Sequence, residues 1–197
     1  MNNAHTAQRI TAFFIDIIIV GIITSIVAFA IPRSIKYKTA SDENDSIIEN
    51  IFNNKMDEKE ALDTFYSNKY IMEKESIPEA LISVAVTVGY FVIFSFLNKG
   101  QTLGKKAMHI RVVSDNDEEV SYAQLFGRAL IINGCFLSIA SLIIINFIKA
   151  NQYLHTIGVL GFVHSAVLIC TIVMTICRND RRGLHDLIFK TKVIETK

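Results

Sequence analysis

Four stretches of this chain are almost free of charge, and they limit its possible folds more than any other feature. Residues 10–32 carry one charged side chain, Asp16, while 80–98, 129–148 and 150–177 carry no Asp, Glu, Lys or Arg. A helix crosses a bilayer with roughly 20 mostly apolar residues, so each stretch is long enough, and each is apolar all round rather than along one face. The expected fold is an all-α membrane protein, a four-transmembrane-helix bundle with spans near 10–32, 80–98, 129–148 and 153–177. A net charge of +1 offers no polyelectrolyte surface, which excludes nucleic acid as a partner. Arg9 ahead of an apolar run ending in Ala28-Phe29-Ala30 has the outline of a signal peptide, but Asp16 inside the run argues against cleavage.

Basic residues near span ends stay mostly on the cytoplasmic side. Arg9, the 99–128 loop and the 178–197 tail together hold twelve Lys and Arg; the opposite side holds eight, seven of them in a loop over 33–79 that also carries eleven acids. Both termini are therefore expected inside. In the outer loop Ser46-x-x-Glu49 reads as a capping box, followed by Ile47, Ile48, Ile51 and Phe52 at helical spacing, and Leu62, Phe65, Tyr66 and Tyr70 repeat the pattern. Two short helices are expected there, forming either a solvated lid or a surface for a ligand or partner. Ser76-x-x-Glu79, with Pro78 near the first helical position, starts the second span. On the inner side Met108–Val113 alternates as a half-exposed strand, with 114–117 as a turn, and 189–194 offers an antiparallel mate. This small cytoplasmic two-stranded β element needs support from the span ends, because an isolated pair is marginal in water.

Asp16 carries the most chemical information. Counting from Ile10 at about 1.5 Å per residue, its carboxylate sits roughly 9 Å inside the hydrocarbon, where an unpaired charge costs at least ~2.5 kcal/mol. Arg9 lies two turns earlier on the same face. Asn133, Tyr90 and the inward-reaching Arg128 share its depth. Asp16 is either a proton or cation site or a structural pin between spans one and three. His164, near mid-membrane, is either a proton relay or a simple hydrogen-bond partner; His155, nine residues away, falls on the opposite face, so the two are not a metal pair. Gly100-Gln-Thr-Leu-Gly-Lys105-Lys106 fails as a nucleotide loop, having three residues between its glycines where four are needed. It reads as a turn with Lys105 and Lys106 at anionic lipid headgroups. Gly158, Gly161 and Gly134 suggest close helix packing, and Cys135, Cys170 and Cys177 look like small core residues. No catalytic constellation, cofactor motif or converging metal-ligand set emerges, so a non-enzymatic role is expected.

Arg9-Ile-Thr-Ala-Phe-Phe-Ile-Asp16, Gly100-Gln-Thr-Leu-Gly-Lys105 followed by Ile110-Arg-Val-Val113, Arg128, and Arg181-Arg-Gly-Leu-His-Asp186 before a final short strand together resemble the RDD family of small membrane proteins. The family is named for one arginine and two aspartates, which the resemblance places at Arg9, Asp16 and Asp186. It implies a membrane bundle, often transport-related, with no agreed biochemical role. Arg9, Arg128, Asp16 and Asp186 are then expected in one polar cluster at the inner boundary. The expectation is transport of a cation or small solute with Asp16 as the ionisable site; the alternative is a scaffold that packs against partner membrane proteins. Four spans make a thin wall, so transport calls for a homo-oligomer or partner. No Gly/Pro-broken span pair is apparent at mid-membrane. The expected location is a prokaryotic plasma membrane.

Overall fold

The computed structural model describes residues 2–53 and 55–196. The side chain of Ile48, part of the outer-loop stripe, lies outside the described residues. Three helices are long and apolar enough to cross a membrane: α1 (Thr6–Phe29), α4 (Ile77–Leu97) and α8 (Ala150–Cys177). Their ends differ from the apolar boundaries by a few residues, because polar caps extend helices past the hydrocarbon. At the start of α1, for example, the His5 backbone N–H donates to the Gln8 side chain at 2.8 Å.

The third expected span is not one helix. α6 (Tyr122–Ile132) begins seven residues before Ala129, capped by reciprocal bonds between Ser121 and Gln124. It ends at Asn133, and α7 (Cys135–Ile144) leaves at an angle of 75°. Gly134 makes the corner with φ +69°, a left-handed conformation that costs an L-residue energy and glycine almost none. The sequence showed no Gly/Pro-broken pair of spans; the structure bends this one stretch, at Gly134. Span two carries an irregularity as well, a wide π turn over Gly89–Phe94 that buries Tyr90, Phe91 and Val92.

The loop between spans one and two forms two helices, α2 (Ile35–Phe52) and α3 (Glu58–Glu75). The helix starts differ from the expected capping box. Ser34 caps α2 by accepting from the Tyr37 N–H, and Ser46 sits mid-helix with its hydroxyl donating to the Glu43 carbonyl. Tyr70 pins the hairpin to the rest of the protein, donating towards the Ile145 and Ile148 carbonyls at 3.0 and 3.3 Å and meeting Tyr153 edge-on. The tyrosine body covers apolar surface while its hydroxyl satisfies carbonyls left open after α7.

At the other end lie both termini and the sheet. β1 (Ile110–Ser114) pairs antiparallel with β2 (Thr191–Glu195), with Val112 opposite Val193. Asn3 bridges to Ile194, and the Ala4 N–H donates to Val193 O at 2.9 Å, so the chain start joins the same edge. This end also holds the main buried core, where Ala12, Phe91, Val92, Ile110, Val112, Leu125, Ala129 and Val193 pack together. The support that a two-strand sheet needs comes from the span ends beneath it. The short helices α5 (Leu103–Ala107) and α9 (Leu184–Ile188) close this end.

Candidate functional site

The sequence-selected charges meet at the core end, in two groups rather than one. Asp186 is fully buried in the first turn of α9. Arg9 and Arg128 each donate to a different oxygen of its carboxylate, and the Gly183 N–H adds a bond at 3.0 Å. Arg9 also donates to the Arg181 carbonyl and Arg128 to the Thr191 hydroxyl. Spans one and three, the tail helix and β2 thus converge on one carboxylate. Burial alone would push the Asp186 carboxyl up, but Arg128 and Arg9 outweigh it and hold the group well below the usual carboxylate range.

Asp16 stands in a separate group with no arginine partner. Its Oδ1 accepts from the Tyr90 hydroxyl at 2.6 Å and from the Gly104 N–H at 2.8 Å; its Oδ2 accepts from the Thr102 hydroxyl at 2.5 Å. Tyr90 reaches it because the π turn of α4 rotates that side chain inward. Gly104 is required by closeness: a Cβ there would strike the Ala12 carbonyl and the Asp16 carboxylate. Asp16 therefore ties span one to span two and to the 100–107 loop, not to span three as the sequence suggested. Thr102 and Gly104 were missed as site residues; their signal was the pairing of a hydroxyl and a glycine in a loop that had failed as a phosphate site.

Both groups border a crevice of about 280 Å³ between α1, α6 and α8. Arg9, Asp16, Lys105, Arg128, Asn133 and His185 form its polar wall; Phe13, Phe14, Leu168 and Ile172 form its apolar wall. Phe14 and Ile172 are 60% and 52% exposed, so the lip opens sideways between α1 and α8. Asn133, the last residue before the kink, lines the crevice without bonding Asp16. Lys105, expected at the headgroups, is half-buried and lines the crevice, and burial followed by Arg128 pulls its ammonium down to about 8. Lys106 is exposed and donates to the Asn98 side chain at 3.3 Å. His185 is 4% exposed; burial, then Arg128, pulls its imidazole down to about 4.

Other sequence candidates lie elsewhere. His164 is half-buried on α8, outside this crevice. A Cβ added at Gly158, Gly161 or Gly134 would meet no neighbouring element within 4 Å among the described residues, so these glycines are not close-packing points within one chain. Cys135 is buried as expected, but Cys170 and Cys177 are exposed on α8, because its apolar surface faces outward rather than into a core. No group of three His, Cys, Asp or Glu able to hold a metal lies together among the described residues.

No solved structure matches the chain. A protein described as uncharacterized YxaI of Bacillus subtilis (strain 168) is 29% identical over 188 residues, covering 94% of this chain and 93% of that one. The model of the RDD family matches residues 3–190, from the terminal bridge at Asn3 through both aspartates to Lys190 at the edge of β2, and the chain belongs to the RDD family.

Proposed function

We propose that this membrane protein takes a small solute into the crevice between α1, α6 and α8 as one step of transport, with no bond made or broken. The observation that carries this reading is the broken third span, whose corner residue Asn133 lines the crevice beside Arg9, Lys105, Arg128 and Asp16. Ionisable groups at membrane depth are expensive and mark functional sites by default, and interrupted helices are where transporters commonly place a substrate. The sequence pointed to a cation or a small solute at Asp16. The charges favour the solute, because a cation at Asp16 would meet Lys105, Arg128 and Arg9 nearby and a carboxylate already accepting three hydrogen bonds. In this reading Asp16 positions the 100–107 loop, and Asp186 positions the two arginines.

The orientation that goes with it places both termini and the sheet on the cytoplasmic side, supported by the basic split of the sequence and consistent with the plasma membrane of a bacterium like that of the relative. Lys106, exposed at this end, then reaches anionic headgroups. A second copy or a partner membrane protein would complete the thin wall. A scaffold role is the second reading, favoured by the open face at Gly158 and Gly161, where another helix can approach closely.

Flux into proteoliposomes, measured for sodium, potassium and a panel of small organic anions and neutral solutes, tests the two. Wild-type protein should exceed empty liposomes for at least one solute, and Thr171→Phe, which fills the crevice from α8, should abolish that flux. Wild-type flux equal to that of empty liposomes across the panel removes transport and leaves the scaffold.

A further inference from the structure

The polar wall of the crevice is not internally satisfied. With both carboxylates counted as charged, Arg9, Arg128 and Lys105 leave one positive charge over. Arg9 and Arg128 are occupied by Asp186; Lys105 Nζ has no hydrogen bond or ion pair among the described residues. Beside it, His185 is buried with neither ring nitrogen hydrogen-bonded: Nε2 lies 3.2 Å from Asp186 but off the bonding geometry, and Nδ1 has no partner. Thr171, 5% exposed on α8, leaves its hydroxyl unpaired as well. Each orphaned buried polar group costs about 1–3 kcal/mol; the one N–H of a neutral imidazole, the Thr171 hydroxyl and the unpaired ammonium, on three residues that line one cavity, describe a ligand with acceptor atoms and negative charge. The facing wall, Phe13, Phe14, Leu168 and Ile172, offers no polar partner and leads outward between α1 and α8.

We infer that the crevice binds an amphiphilic anion, a single acid group carried on an aliphatic chain, with the acid on Lys105, His185 and Thr171 and the chain leaving past Phe14 and Ile172. This rests on the crevice being a ligand site, as proposed above, and names the chemistry that site selects. About 280 Å³ lies near the small end of ligand pockets, which run from ~300 Å³ upward. It suits a compact head and the first part of a chain whose remainder lies in the surrounding hydrocarbon. Lys106 serves as an internal control, because it carries the same charge one residue away, exposed and outside the crevice.

The test is calorimetric titration of the full-length protein in nonionic detergent with octyl phosphate, octanol, inorganic phosphate and dioctanoyl phosphatidylglycerol. Octyl phosphate should bind with one site per chain, and octanol and inorganic phosphate far more weakly. Lys105→Gln should weaken octyl phosphate about tenfold or more, the size of a hydrogen bond to a charged group, whereas Lys106→Gln should change it by no more than about twofold. Thr171→Phe, which occupies the crevice without touching the charge, should also abolish binding. Phosphatidylglycerol that competes with octyl phosphate identifies the head as that of a lipid; phosphatidylglycerol that does not identifies a free acid, and either supports the inference. Octanol binding as well as octyl phosphate, or Lys105→Gln binding unchanged, overturns it. If a flux blocked by Thr171→Phe persists in that case, the crevice reading stands without this chemistry. Octyl phosphate binding that Thr171→Phe leaves untouched overturns both.

Discussion

Asp186 accepts from two guanidiniums on two different spans, so its removal strands two buried cations at once. Breaking a buried pair by deleting one partner costs about 3–5 kcal/mol, and Asp186→Ala should lower the melting temperature and yield more than any exposed acid, such as Asp117, does. An Asp186→Ala protein that melts with wild type would show the cluster to be dispensable. His185 gives a pH signature of its own. Its folded value is pushed down to about 4, against about 6.5 in the unfolded chain. Between those values the unfolded state binds the extra proton, so stability rises with pH and is lost as pH falls from 6.5 towards 4. His185→Gln should flatten that segment of the melting curve relative to wild type. An identical slope in both proteins would assign the acid sensitivity elsewhere.

Among the elements, the kink between α6 and α7 depends on one backbone conformation. Gly134 sits at φ +69° with open space around it, so Gly134→Ala meets no clash and registers only the left-handed strain, about 1–2 kcal/mol. Gly158 is equally open but helical, and Gly158→Ala should be neutral or stabilising by up to ~1 kcal/mol. In thermal melts Gly134→Ala should therefore fall below wild type while Gly158→Ala does not; a Gly134→Ala protein as stable as wild type would mean that the corner is not strained. The β pair was legible from alternation in 108–113 and 189–194; the strands, Ile110–Ser114 and Thr191–Glu195, start two residues later and end one later. The hairpin of α2 and α3 was legible as two helices but not in its start: the capping-box pattern at Ser46 lies inside α2, where its hydroxyl bonds the Glu43 carbonyl, and Ser34 is the cap.

Across the whole molecule, termini, sheet, charge clusters and crevice share one end, and the acidic hairpin occupies the other. The orientation proposed above places the first end in the cytoplasm. In a cysteine-free background a thiol at Ser67, exposed on α3, should react with an impermeant reagent in intact cells, and one at Asp117, exposed beyond β1, should react only after lysis. The reverse pattern would invert the protein. The number and approximate position of the apolar stretches, the helical loop, the strands and the identity of Arg9, Asp16, Arg128 and Asp186 were all determined by the sequence alone, because hydropathy, alternation and the cost of burying a charge are local properties. Which charge meets which partner was decided only by tertiary structure. Asp16 chose Tyr90, Thr102 and Gly104 over Arg9 and Arg128 because a π turn in α4 and a glycine contact on α1 bring that loop within reach. The crevice reaches the point where a left-handed glycine turns the third apolar stretch aside, an effect of backbone geometry that no count of apolar residues contains.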